Sequence, residues 1–266
     1  MKVSSLLFSF MIGVFDSGLG GLTYVQELRN IFPNVDIISV SDTKNVPYGG
    51  KSDTEILSLV EKNMDFFEKK SCPLVIIACN TASGKALHEV QIQYDGRMKI
   101  LGVLIPACEE AVEKTQNKKI GLLATEFTVA TKSYEREIGK LDVNVQVFSI
   151  AAPELVLLIE SGEKEGEKIE KILRLYWEKL SSCGIDTLIL GCTHYSLLLP
   201  TFKKIVPENI HIVNSSHIAA GKLHTYLNQH SEIKEKITFN GKIEIECTGD
   251  KKQFKENIQK MFPNLI

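Results

Sequence analysis

Nine short runs rich in β-branched and other apolar residues recur along the chain, at residues 11–15, 36–40, 74–78, 100–104, 119–124, 145–150, 186–190, 211–213 and 243–247. Amphipathic segments separate most of them. Leu22, Val25, Leu28 and Phe32 fall on one helical face, as do Ile56, Val60, Met64 and Phe67 in the segment opened by Ser52-Asp53. A run that is apolar throughout, without alternation, suits a strand covered on both faces, and helices between such runs supply the covers. The pattern predicts an α/β fold with mainly parallel sheet. At 266 residues the chain can form one large or two modest domains, with no disulfide or metal staple needed.

Two of the runs end alike, in Leu74-Val75-Ile76-Ile77-Ala78-Cys79-Asn80-Thr81 and in Thr187-Leu188-Ile189-Leu190-Gly191-Cys192-Thr193-His194. They are separated by about the length of one small domain. A strand, a Cys, a Thr and a helix recur in each, which reads as an internal repeat of two similar α/β halves facing each other across a cleft. A residue leaving the carboxyl end of a strand in an open α/β sheet points into the crevice where ligands bind. Both thiols are therefore expected to be presented there. The amide donors of a helix start stabilise thiolate and bring a free pKa of about 8.5 towards neutrality. Such a thiol suits general acid/base work as well as nucleophilic attack. Cys72, Cys108, Cys183 and Cys247 lack polar turns of this kind and read as inert, buried residues.

His194 follows Cys192 closely enough to share or relay a proton. No further ligands stand at metal-binding spacing, so zinc is disfavoured. Asn80, Thr81 and Thr193 supply neutral hydrogen bonds to a polar substrate, while His88, His211 and His224 read as surface or satisfied core residues. The turn Asp16-Ser17-Gly18-Leu19-Gly20-Gly21 follows the first strand, and its glycines allow close backbone approach at a helix start that attracts anions. The dinucleotide pattern fails because Thr23 stands at its sixth place, and the Gly-Lys-Ser/Thr ending of a P-loop is absent. That leaves a carboxylate site, or a structural turn with Asp16 as its cap. The segment from Asp42 to Lys51 follows the second strand into the same cleft and offers Tyr48 and Gly49. The charged stretch from Glu160 to Lys168 reads as a solvated loop opening a helix, with no binding role required.

The 31 basic and 33 acidic side chains leave a formal net charge of −2, against a general nucleic-acid binder. Six cysteines without a Cys-x-x-Cys pattern point to free thiols in a reducing cytoplasm. Residues 1–10 look faintly like a signal peptide but lack a small-x-small cleavage pattern, and read as an extension ahead of Met11 or as the product of a misplaced start codon. No apolar run reaches the ~20 residues of a membrane span. The expectation is a cytoplasmic protein with no membrane partner.

Taken in order, these motifs resemble the glutamate racemases, the cofactor-independent branch of the aspartate/glutamate racemase superfamily. The resemblance runs from Ile12 to the end of the chain. It rests on Phe15-Asp16-Ser17-Gly18-Leu19-Gly20-Gly21, Pro47-Tyr48-Gly49, Cys79-Asn80-Thr81-Ala82-Ser83 and Gly191-Cys192-Thr193-His194-Tyr195. Weaker matches are Thr125-Glu126-Phe127-Thr128-Val129, Glu160-Ser161-Gly162 and Thr248-Gly249-Asp250. His194 after the second Cys-Thr favours glutamate over aspartate racemases. Four positions depart from the family's usual residues: Ser196 where proline is common, Ala107 where glycine often follows Pro106, Phe127 in place of glycine, and Asn214 in place of aspartate.

The resemblance implies two pseudo-two-fold-related α/β domains, residues 1–102 with 215–266 carrying Cys79, and residues 103–214 carrying Cys192. It implies a two-base racemisation of glutamate without pyridoxal phosphate or any other cofactor, supplying D-glutamate for peptidoglycan. One thiolate removes the α-proton and the other thiol delivers a proton to the opposite face, with Cys79 serving D-glutamate and Cys192 serving L-glutamate. Asp16 and His194 would assist, with Asp16 as the partner of Cys79. Ser17, Tyr48, Gly49, Asn80, Thr81 and Thr193 would hold the amino acid, and Asp42 and Glu160 would help. A homodimer is also implied. The main rival, a cysteine hydrolase or acyl transferase with His194 as base, needs one activated thiol and leaves the second turn unexplained.

Overall fold

A computed structural model describes residues 10–265, so all but Phe10 of the extension read at residues 1–10 lies outside the described residues. All nine expected strands form: β1 (Ile12–Asp16), β2 (Ile37–Ser41), β3 (Leu74–Ile77), β4 (Lys99–Gly102), β5 (Lys119–Ala124), β6 (Gln146–Ala151), β7 (Thr187–Gly191), β8 (His211–Asn214) and β9 (Ile243–Cys247). Their ladders are parallel throughout. They make two sheets, ordered β4-β3-β1-β2-β9 and β6-β5-β7-β8.

Read from its other edge, the second sheet runs β8-β7-β5-β6, the strand-by-strand counterpart of β4-β3-β1-β2. β9 is an addition at one edge. The repeat inferred from the two cysteine turns is thus a repeat of strand order, and β3 and β7 hold the same place in it.

Helices α1 (Gly21–Ile31), α2 (Asp53–Lys69) and α3 (Asn80–Gln93) accompany the first sheet, while α4 (Leu104–Lys114) follows β4 but packs against β7 and β8 of the second. α5 (Glu126–Ala130), α6 (Ser133–Leu141), α7 (Pro153–Glu160), α8 (Glu167–Ser181) and α9 (Leu199–Ile205) accompany the second sheet. α10 (Ser215–Gln229), α11 (Ser231–Lys234) and α12 (Lys251–Met261) take the chain back around β9. Local sequence explains α2 well. Ser52 and Glu55 form a reciprocal capping box at its start, and Ile56, Val60, Met64 and Phe67 make one buried face. A box of this kind contributes about 1 kcal/mol. On α1, Leu22, Val25 and Leu28 are buried as expected, while Phe32 lies just past the helix end and is only partly buried.

Every residue of β1, β2, β3 and β7 is buried, as strands covered on both faces must be. Cys72 and Cys108 are buried too, but Cys183 and Cys247 are half-exposed, against expectation. Cys183 sits in the turn after α8, and Cys247 ends the edge strand, where one side has no neighbour. Among the described residues no helix is long and apolar enough to cross a membrane.

Candidate active site

Register brings the key residues together. Phe15 of β1 pairs with Ile77 of β3, so the chain leaves both strands at one level and sets Ser17 beside Cys79. Ser17 Oγ lies 3.5 Å from Cys79 Sγ. In the second sheet Ala124 pairs with Gly191, which puts Thr125 and Cys192 at one level in the same way. Cys79 opens α3, whereas Cys192 opens a 3-10 turn over Thr193–Leu198 before α9, a tighter start than the α-helix expected there. Both thiols are buried, at 5% and 6% exposure.

Two carboxylates tie the halves together. Thr193 donates its hydroxyl hydrogen to Asp16 Oδ2 at 3.0 Å, and the Gly18 N–H donates to Oδ1 at 2.9 Å. Glu160 Oε1 accepts the Leu19 N–H at 2.7 Å and lies 2.6 Å from His194 Nε2. The other ring nitrogen, Nδ1, is 3.6 Å from Cys192 Sγ. Glu160 ends α7 and faces the cleft, so the solvated-loop reading is corrected at its first residue. The glycine turn permits this contact. A Cβ on Gly18 would fall 2.1 Å from Glu160 Oε1, and one on Gly20 would fall 2.3 Å from Thr193 Oγ1.

Hydroxyls join the halves on the Cys79 side. Thr81 Oγ1 meets Thr125 Oγ1 at 2.9 Å, and Thr125 Oγ1 meets Thr128 Oγ1 at 3.0 Å. Gly49 makes room for them, since a Cβ there would lie 2.7 Å from Thr125 Cβ. Tyr134 donates to Asn80 Oδ1 at 2.7 Å, while Asn80 Nδ2 is buried with no partner among the described residues. Tyr48 commits its hydroxyl hydrogen to Asp42 Oδ2 at 2.6 Å, and Asp42 also accepts from Asn45 and Thr248. Asp42 therefore fixes Tyr48. Beneath Cys192, Tyr195 is anchored to the carbonyls of Ala124 and Ala152. Two of the family departures meet, with Ser196 donating to Asn214 Oδ1 at 2.7 Å.

Electrostatics correct the expectation of a thiol near neutrality. Burial, then the Asp16 carboxylate, push Cys79 up to about 12, outweighing the Ser17 hydroxyl and the Ala82 N–H. Cys79 is held protonated. Its side-chain hydrogen-bond partner is Ser17, and Asp16 acts on it by charge. Burial raises Asp16 itself to about 6, against the opposing effects of His194, Gly18 and Thr193. For His194 burial acts downward, but Cys192 and Glu160 outweigh it and hold the imidazole well above its ordinary value. The two ring nitrogens of His194 thus face Cys192 Sγ and Glu160 Oε1. Among the described residues no three metal-ligating side chains cluster.

Every site residue expected from sequence lies at this junction. Thr125 was visible only as part of a weaker motif, although its place directly after β5 matches that of Ser17 directly after β1. Tyr134 carried no sequence signal, because its contact with Asn80 is made only by the packing of α6 against α3.

A chain of two parallel sheets with buried thiols after equivalent strands matches a known family. Residues 21–223 match the model of the Asp/Glu/Hydantoin racemases. The glutamate racemase of Desulforudis audaxviator is 42% identical over 203 residues, covering 76% of this chain and 74% of that protein. Glutamate racemase isoform RacE1 of Bacillus anthracis superposes with a TM-score of 0.85 at 31% identity, covering 94% of this chain and 92% of that one. The Francisella tularensis glutamate racemase, solved with D-glutamate, superposes with a TM-score of 0.86 at 29% identity, covering 97% and 95%. The chain belongs to the Asp/Glu/Hydantoin racemase family, in its glutamate racemase branch, and is an amino-acid isomerase.

Proposed function

We propose that the chain interconverts L- and D-glutamate without a cofactor, passing the α-proton between Cys192 on one face of the carbon and Cys79 on the other. The observation that carries this reading is the pair of buried thiols at the ends of equivalent strands β3 and β7, in halves fastened by Asp16 and Glu160. One side chain cannot serve both faces of a fixed carbon. The D-glutamate bound to the Francisella relative supports the substrate class.

The geometry and the protonated Cys79 support a scheme for the L-to-D direction. Cys79 holds its proton, while Cys192 Sγ lies beside His194 Nδ1. Cys192 as thiolate then takes the α-proton of L-glutamate, and Cys79 gives its own to the opposite face. Turnover moves the proton from Cys79 to Cys192 and leaves the enzyme set for D-glutamate. With no cofactor as electron sink, aimed donors must stabilise the developing carbanion in a dry site. The unpaired Asn80 Nδ2 and the hydroxyls of Ser17 and Thr81 would serve that, with Thr193 held by Asp16 and with Tyr48 and Gly49 shaping the wall.

The same reading covers the rest of the molecule. Domains of residues 1–102 with 215–266, and of residues 103–214, are supported by the strand membership of the two sheets, with α10 packed on both α1 and α4. The resemblance extends it to a cytoplasmic homodimer that supplies D-glutamate for peptidoglycan. The test is loss of the circular dichroism of L-glutamate on incubation with the chain alone, beside a panel including aspartate. Signal loss with glutamate supports the reading. Amide hydrolysis or thioester accumulation without racemisation would move it to the cysteine hydrolases.

A further inference from the structure

Phe127 belongs by chain to the second half, on α5 directly after β5. Its side chain packs elsewhere. It joins an apolar cluster whose other buried members all lie between Met11 and Ile100, in the first half, and which includes Phe15, Tyr48 and Cys79. α5 rests on the Tyr48–Gly50 turn and on α3, the helix that Cys79 opens. The ring is 9% exposed. On either side of it, Thr125 and Thr128 continue the hydroxyl chain from Thr81.

The buried thiols make this placement consequential. Glutamate can reach Cys79 only if the halves part, and parting them draws the Phe127 ring out of the first half's core. We propose that Phe127 is the closing residue of the cleft: its ring, seated across the junction, holds the Cys79 side shut and dry, and its withdrawal admits and releases substrate. It is a positioning residue, with no contact to the reacting atoms required. The inference rests on the two-thiol reading only in treating Cys79 as the thiol that must be reached.

The test compares the full chain with Phe127→Gly and Phe127→Leu. Native-state labelling by iodoacetamide is followed at Cys79 by peptide mass spectrometry, with buried Cys108 as internal control, and kcat and KM for glutamate are measured alongside. Loss of a buried aromatic side chain shifts an equilibrium by about tenfold or more. Phe127→Gly is therefore expected to label at Cys79 about tenfold faster and to raise KM about tenfold, with kcat unchanged or higher. Phe127→Leu is expected within about threefold of the parent, since volume-conserving apolar swaps are tolerated best. Unchanged labelling and unchanged KM in Phe127→Gly would overturn the proposal, as would equal acceleration at Cys79 and Cys108, which signals general loosening. If the glycine variant does not fold, Phe127→Val is held to the same criteria. Failure of the racemase reading shows separately, as absence of racemisation in the parent chain, and leaves the labelling comparison intact.

Discussion

The Cys79 turn and the Cys192 turn end strands with the same place in the same sheet order, yet they differ in chemistry. Cys79 meets a hydroxyl and the field of a buried carboxylate, and keeps its proton. Cys192 meets an imidazole that Glu160 holds and that is pushed well above its ordinary value. Strand order therefore decides where a thiol is delivered, while the neighbouring turn decides what proton it carries. On the proposed reading, a scaffold with a repeated strand order would serve two mirror-image substrates through turns that are not alike.

The largest expected effect bears on what the turns share. Cys79→Ala and Cys192→Ala should each lower racemisation by about 10³-fold or more, the scale of a lost general acid or base, with the far-ultraviolet spectrum unchanged. Full activity in either variant would break the comparison. Asp16→Asn comes next, with a loss of about 10²-fold. Because Asp16 sits at about 6, kcat/KM of the parent should fall as pH drops through 6, and this acid limb should vanish in the variant.

Stability should move the other way. A carboxyl whose folded pKa is raised binds its proton more tightly when folded. Its ionisation costs the folded state stability progressively as pH rises from about 4 to 6, and the whole cost is present above that. Asp16→Asn should therefore melt higher than the parent at pH 8, by on the order of 1–3 kcal/mol, with the gap closing towards pH 4. Thermal scans across that range check it.

Smaller effects sharpen the asymmetry. His194→Asn should lower kcat/KM by about 10²-fold, and equally in both directions, because the enantiomers are equal in energy. The difference should show in isotope effects. With Cys192 deprived of its imidazole, α-deuterated L-glutamate should give a larger primary effect than α-deuterated D-glutamate. Ser17→Ala should tilt the pair in the opposite sense, and by only about three- to tenfold, since it removes one long hydrogen bond to a protonated thiol.

The strands were legible because a run buried on both faces leaves little choice of residue, as in Ile12–Asp16 and Thr187–Gly191. The thiols were legible because polar turns follow such runs. Glu160 was not legible from its surroundings. A carboxylate heading a charged stretch looks solvated until the fold sets Leu19 and His194 against it. The proton affinity of Cys79 was missed for a related reason: a helix start is visible in sequence, whereas the burial that outweighs it is not. Phe127 stood out as a bulky residue among threonines, but its seat lies in the other half of the molecule, and no local pattern shows that.

The most direct test of two thiols on opposite faces follows L-glutamate with the chain in deuterated water, reading both enantiomers early in the reaction by mass spectrometry. Two separate bases predict that new D-glutamate carries deuterium at the α-carbon while unreacted L-glutamate keeps its hydrogen. Equal early deuterium in both enantiomers would mean that one group serves both faces, and would contradict the account.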